Sequence, residues 1–129
     1  MAKIIPHLWF DHQASEAADF YTSVFPGSKK LEGATLHDTP SGTVDILNIE
    51  LFGLSFQMIN AGPLFKPNPS ISFMVHCQSL TQVDELWNKL IEGGQALMPL
   101  DSYPFSERYG WLSDRYGFSW QLLPTPELA

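Results

Sequence analysis

Gln57 and Gln121 lie 64 positions apart in matching surroundings, FGLSFQM from Phe52 to Met58 and YGFSWQL from Tyr116 to Leu122. Each amide carries two donors and two lone pairs, so it can hold a carbonyl or hydroxyl of another molecule but cannot serve as a general base. Buried without partners, each would cost about 1–3 kcal/mol. Something must satisfy them: one another, Ser55 and Ser119, the backbone, or a bound molecule. His7 is a candidate lining residue beside them, although one imidazole without carboxylate partners chelates metal weakly. Trp9, Trp111, Tyr103, Phe105 and Met74 could line an aromatic and thioether pocket, or simply fill a core. Glu107, within SYPFSERYGW, sits on a stretch that could form a lid over a binding mouth or a surface loop or dimer contact. Asp114, in DRYG, reads as the cap of a tight turn, Glu50 as an exposed or edge residue, and His12, His37 and His76 as solvated loop histidines.

The elements that would position these groups follow from periodicity. Ala14, Ala17, Ala18, Tyr21, Val24 and Phe25 fall at helical spacing and stop at Pro26-Gly27. A second helical stripe runs from Leu80 through Val83, Leu86, Trp87, Leu90 and Ile91, opened by a Ser79/Gln82 capping box and ended by Gly93-Gly94. Strands are predicted at Ile4 to Phe10, Lys30 to His37, Thr43 to Phe52 and Leu54 to Asn60. After the proline-rich AGPLFKPNP the pattern restarts: a strand at Ile71 to His76, the second helix, then strands near Gln95 to Met98, Tyr109 to Asp114 and Phe118 to Leu123, with DSYPFSER irregular. The order βαβββ thus occurs twice. Each copy of the repeated heptad closes its module, which points to duplication; a repeat of this length, present twice, does not make a solenoid. The expected organisation is a single domain over 1–129, with modules at 4–60 and 70–123 and a linker at 61–69.

Bulk properties bound the function. The 129 residues suffice for one domain, and 44% hydrophobic with 16% charged residues is the composition of a folded globule. A net charge of -7 with seven scattered Lys and Arg offers no footprint for a phosphate backbone, so nucleic acid is excluded as a partner. The single Cys77 cannot form an intramolecular disulfide, the N-terminus lacks a signal-peptide apolar run, and no stretch reaches the roughly 18 apolar residues of a membrane span. A reducing cytoplasm is the expected compartment.

Alternation along strands then sorts the candidates. Leu54, Phe56 and Met58 oppose Ser55, Gln57 and Ile59; Phe118, Trp120 and Leu122 oppose Ser119, Gln121 and Leu123. The apolar rows suit the helix stripes, which places Trp87 and Trp120 in the core. In the opening strands, Leu8, Phe10, Ile71, Phe73 and Val75 are expected on the helix side, and Ile5, His7, Trp9, Ser70, Ser72 and Met74 on the Ser/Gln side, with the first strand open to a one-residue shift. A half-polar, uncharged face suits a cleft lining or a subunit contact.

LWFDHQASEAADFYTSVFPGSK, the paired βαβββ modules and the closing YGWLSDRYGFSWQL resemble the vicinal oxygen chelate superfamily of glyoxalases, bleomycin-resistance proteins and extradiol dioxygenases, and within it the PhnB-like branch, often labelled as a 3-demethylubiquinone 3-methyltransferase domain. The resemblance spans Ile4 to Leu123. It implies an α+β fold of two βαβββ modules with cup-shaped mixed sheets, commonly completed across a homodimer. In metal-dependent members the closing strands usually supply Glu where this chain has Gln57 and Gln121, and the opening strands His where it has Ile5, or Pro6 if the register slips, and Ser70. Two amides, a hydroxyl and an aliphatic group make a poor site for a divalent ion, so no cofactor is expected, a divalent metal being the alternative. The strand-to-helix junctions DHQAS and HCQS lack the glycine-rich turn of a nucleotide-like methyl donor site, so methyl transfer is not expected either. The function expected is binding of a small, partly apolar molecule by a homodimer. The first module would contribute His7, Trp9 and Gln57, and the second Ser72, Met74, Phe105, Glu107, Trp111 and Gln121. The alternatives are an enzyme of the same superfamily acting on a small oxygenated substrate, and an interaction module without a ligand.

Overall fold

A computed structural model describes residues 2–126; Met1 and residues 127–129, the ends of the expected 1–129 domain, lie outside the described residues. The element order is β1 (His7–Phe10), α1 (Ala14–Val24), β2 (Lys29–Thr39), β3 (Gly42–Leu51), β4 (Leu54–Asn60), β5 (Ser72–Cys77), α2 (Leu80–Leu90), β6 (Gln95–Tyr103), β7 (Ser106–Ser113) and β8 (Ser119–Pro124). The fold is α+β, two βαβββ modules. They form two compact units, Met1–Lys66 and Pro67–Ala129.

In each unit one mixed sheet carries one helix. The strand order is β1-β4-β3-β2 in the first and β5-β8-β7-β6 in the second, with the opening strand parallel to the closing strand and the remaining pairs antiparallel. The closing strands β4 and β8 are therefore internal, each flanked on both sides. Their apolar rows are buried at Phe56 and Met58 in β4 and at Trp120 and Leu122 in β8, but Leu54, expected in the first row, is 45% exposed where β4 leaves its turn, and Phe118, expected in the second, precedes β8 and is half-buried. Leu8 and Phe10 join the first row, and the α1 stripe of Ala14, Ala17, Ala18, Tyr21 and Val24 is buried too. In the second unit Val83, Leu86, Trp87 and Leu90 of α2 do the same.

The helices start by different means. Ser79 Oγ accepts from the Gln82 amide at 3.1 Å, while the Gln82 side chain reaches back to the Gln78 amide at 2.8 Å, a capping box displaced by one residue at its return contact. Gln13 makes no side-chain cap for α1; Asn60 Oδ1, at the end of β4, instead accepts from the Ala14 amide at 2.8 Å.

Three further expectations need correction. The opening strand starts at His7, not Ile4; Pro6 has no amide hydrogen to give to the ladder, although its carbonyl still accepts from the Gln57 amide at 2.9 Å. Ile71, expected on the helix side, precedes β5 and is 74% exposed. DSYPFSER is not irregular: β6 continues to Tyr103 and β7 starts at Ser106. Three register shifts let β6 continue through Pro99, which an edge strand tolerates because one side of its ladder is unpaired. Phe105 and Glu107 consequently belong to a hairpin tip and to β7. Among the described residues, no helix is long and apolar enough to cross a membrane.

Candidate functional site

Residues paired across neighbouring strands face the same side of a sheet, so the amide of each closing strand has neighbours set by register. In the second unit Gln121 is paired with Met74 on β5 and Trp111 on β7, and Ser119 with Ser72 and Ser113. The side chains close a network. Tyr109 Oη donates to Gln121 Oε1 at 2.5 Å, Gln121 Nε2 donates to Ser72 Oγ at 2.6 Å, and Trp111 Nε1 donates to Ser119 Oγ at 2.6 Å. Burial, reinforced by Tyr103, raises the Tyr109 phenol above its ordinary value, so it remains a neutral donor at neutral pH. Tyr109 also packs edge-on against Phe105, centroids 4.9 Å apart, and against Tyr103 at 5.7 Å.

In the first unit the corresponding row runs His7, Gln57, Asn48 across β1, β4 and β3. Gln57 Nε2 donates to Asn48 Oδ1 at 3.3 Å, and Asn48 Nδ2 donates to the Glu32 carbonyl at 2.8 Å. Glu32 lies where the β2–β3 register shifts, between Leu31 and Ala34. Gly33 permits that approach, since a β-carbon there would stand 2.5 Å from the Ile46 carbonyl oxygen. His7 is exposed beside Gln57.

The structure thus brings Ser72, Trp111 and Gln121 of the sequence-derived candidates into one hydrogen-bonded neighbourhood, with Met74, 52% exposed, next to them in register. It sets His7 beside Gln57 in the other unit. Trp9 is occupied otherwise: its Nε1 donates to the Gly62 carbonyl at 2.8 Å and its ring meets Phe65 edge-on at 5.0 Å, which pins the segment after β4. Phe105 and Glu107 line a groove of about 470 Å³ with Ser79, Leu80, Leu123 and Thr125, and Phe105 also packs on Tyr109. Ser70 is exposed in a turn before β5, so the hydroxyl that meets Gln121 is Ser72, not Ser70. Asn48 and Tyr109 were missing from the candidates. Tyr109 could have been found by alternation, two residues from Trp111 on the same face of β7; Asn48 could not, because its register depends on how β3 is set against β4.

The donor set does not fit a divalent ion. Gln57 and Gln121 are engaged with neutral partners, and among the described residues no group of three or more His, Cys, Asp or Glu stands close enough to hold one. Asp114 serves the turn: Oδ1 accepts from the Tyr116 and Phe118 amides at 2.8 and 3.1 Å, and Oδ2 from Trp120 Nε1 at 2.8 Å.

Paired βαβββ units with parallel opening and closing strands define the glyoxalase/bleomycin resistance/dioxygenase fold, that of the vicinal oxygen chelate proteins. A glyoxylase/bleomycin resistance protein/dioxygenase domain from Frankia superimposes with a TM-score of 0.70 at 18% identity, over 100% of this chain and 96% of its own. A fosfomycin resistance protein from Listeria monocytogenes does so with 0.66 at 12% identity, over 97% of this chain and 92% of its own. Within that fold the chain belongs to the 3-demethylubiquinone-9 3-methyltransferase family, whose profile matches residues 2–123. The PhnB protein of Bacillus cereus, described under the same methyltransferase name, is similar at 35% identity with a TM-score of 0.85, over 96% of this chain and 100% of its own. No curated protein matches the chain.

Proposed function

We propose that this chain binds a small, partly apolar, uncharged or weakly polar molecule on the Ser/Gln faces of its sheets, works without a metal, and does so as a homodimer. The observation that carries this reading is the Tyr109–Gln121–Ser72 chain, which puts neutral donors and acceptors where metal-dependent relatives of the fold usually carry a carboxylate. Such a face offers directional hydrogen bonds without a charge, beside the exposed thioether of Met74, and so suits a ligand with one polar group on an apolar body. Methyl transfer is not part of the proposal, since the β1–α1 and β5–α2 junctions contain no glycine.

A thermal-shift screen of neutral metabolites tests the reading, with Gln57→Leu and Gln121→Leu as controls. A compound that raises the Tm of the parent but not of either variant supports it; stabilisation indifferent to both changes overturns the placement. Calorimetric titration with Zn, Ni, Mn and Fe(II) tests the metal clause, and a stoichiometric site of about micromolar affinity or better refutes it. An enzymatic reading draws on His7, an imidazole in register with Gln57; it requires turnover that collapses in His7→Ala.

A further inference from the structure

The two repeats use the same amide with opposite polarity, and in the first unit that polarity is dictated by the backbone. A backbone carbonyl only accepts hydrogen bonds. The Glu32 carbonyl must therefore face Asn48 Nδ2, at 2.8 Å, which turns Asn48 Oδ1 toward Gln57. Gln57 must answer with its Nε2, and its Oε1 is left facing away from Asn48. Among the described residues no donor reaches that oxygen. In the second unit the corresponding oxygen is taken by Tyr109, and Gln121 Nε2 is taken by Ser72, whose own hydroxyl hydrogen is then free to point outward. A phenol is the stronger donor and an aliphatic hydroxyl the better acceptor of the two, which fixes the direction of that chain.

We infer that Gln57 Oε1 is the specificity-determining acceptor of the first unit, selecting ligands that present a neutral hydroxyl or N–H donor, and that Asn48 is the positioning residue that holds the amide in this sense. The inference rests on the ligand-binding reading above and adds the chemical class of the group recognised. A donor-bearing ligand completes Gln57; a ligand with only an acceptor in the same place meets a lone pair with a lone pair. Gly33 and the register shift beside it belong to the same device, because they bring the Glu32 carbonyl to Asn48.

Phenol and anisole are matched probes: the same ring, with and without a donor. Titration of each into isotopically labelled protein, followed through the side-chain amide signals of Gln57 and Gln121, reads both affinity and place. We expect phenol to perturb Gln57 and to bind the first unit about fivefold more tightly than anisole, a moderate value for a half-exposed acceptor. In Asn48→Leu the freed amide can turn either end outward, so the ratio should fall to within about twofold. Asn48→Asp keeps an acceptor for Gln57 Nε2 but loses the donor to the Glu32 carbonyl, so it should retain the preference while lowering the Tm. Equal affinity for the two probes at Gln57 in the parent protein overturns the inference and leaves ligand binding standing, as does a preference undiminished in Asn48→Leu. If Asn48→Leu does not fold, the parent ratio and Asn48→Asp decide. If neither probe perturbs any residue of the Ser/Gln faces, the ligand-binding reading fails and the inference falls with it.

Discussion

The closing strands β4 and β8, with the turns before them, follow one seven-residue pattern and share its Gly, Ser and Gln, yet their glutamines live differently. Gln121 is gripped at both ends of its amide by Tyr109 and Ser72, at 2.5 and 2.6 Å; Gln57 is held at one end by Asn48, at 3.3 Å, beside an exposed His7. The difference comes from neighbouring strands. Asn48 and His7 flank Gln57 where Trp111 and Met74 flank Gln121. A duplicated strand can keep its own sequence and still acquire a new chemical task if the strands beside it change.

The helix-facing sides of the units diverge in the same manner, and this contrast can be pressed by mutation. Both turns carry a left-handed glycine, Gly53 at φ 82° and Gly117 at φ 92°, but the turn before β8 is held by a carboxylate, whereas the turn before β4 also puts Phe52 in a left-handed conformation, φ 47°. Asp114 is buried with three donors on it, so we expect Asp114→Ala to give the largest loss, about 3–4 kcal/mol by chemical denaturation. A loss below about 1 kcal/mol would mean that water replaces the carboxylate and that the two turns are energetically alike.

Next in size is the packing exchange between Leu47 and Gly110. Leu47 pairs with Met58 in the first unit, and Gly110 pairs with Leu122 at the matching place in the second. Gly110 is required there because a β-carbon would overlap the Trp87 ring of α2. We expect Gly110→Ala to destabilise by about 1–3 kcal/mol, and Trp87→Leu to reduce that penalty in the double variant. Strict additivity in the cycle would show that the ring is not what excludes the side chain.

Cys77 ends β5 where Phe10 ends β1, and burial pushes its thiol up to about 11 from 9.0. The neutral thiol is the form the fold favours. Its contribution is complete below the unfolded pKa near 9 and is lost as pH rises toward 11, an effect on the order of 2 kcal/mol. The decline in stability between pH 9 and 11 should flatten in Cys77→Ala; an unchanged slope assigns it to other groups.

The smallest effect is expected at Phe52. Its ring meets Phe25 edge-on at 5.5 Å, which offsets part of the left-handed strain. Phe52→Asn relieves that strain and Phe52→Ala does not, so the Asn variant should be the more stable of the two by about 1 kcal/mol. Equality would show that the turn imposes no strain on a side chain.

Much of this was legible beforehand, for reasons tied to particular residues. The alternation of Phe56 and Met58 with Ser55 and Gln57, and of Trp120 and Leu122 with Ser119 and Gln121, is local, and the structure buries those four apolar residues, while Leu54 and Phe118 at the strand starts escape full burial. Ser79 with Gln82 marked the start of α2, and Asp114 its turn. Other features depended on partners distant in the chain. The cap of α1 comes from Asn60, 46 residues away; Ser72 rather than Ser70 meets Gln121, 49 residues away; and the β6–β7 hairpin runs through a stretch whose composition resembled a loop.

The sequence by itself determined the number of modules, the βαβββ order, the helices and the face on which each glutamine stands, because all of these follow from short-range periodicity and from a repeated word. Only the tertiary structure decided which atoms of those glutamines are spent and which remain open. An amide can present either end, and the choice belongs to whatever the neighbouring strand brings within about 3 Å. In the first unit that neighbour is Asn48, turned by a backbone carbonyl; in the second it is Tyr109, a phenol that keeps its proton.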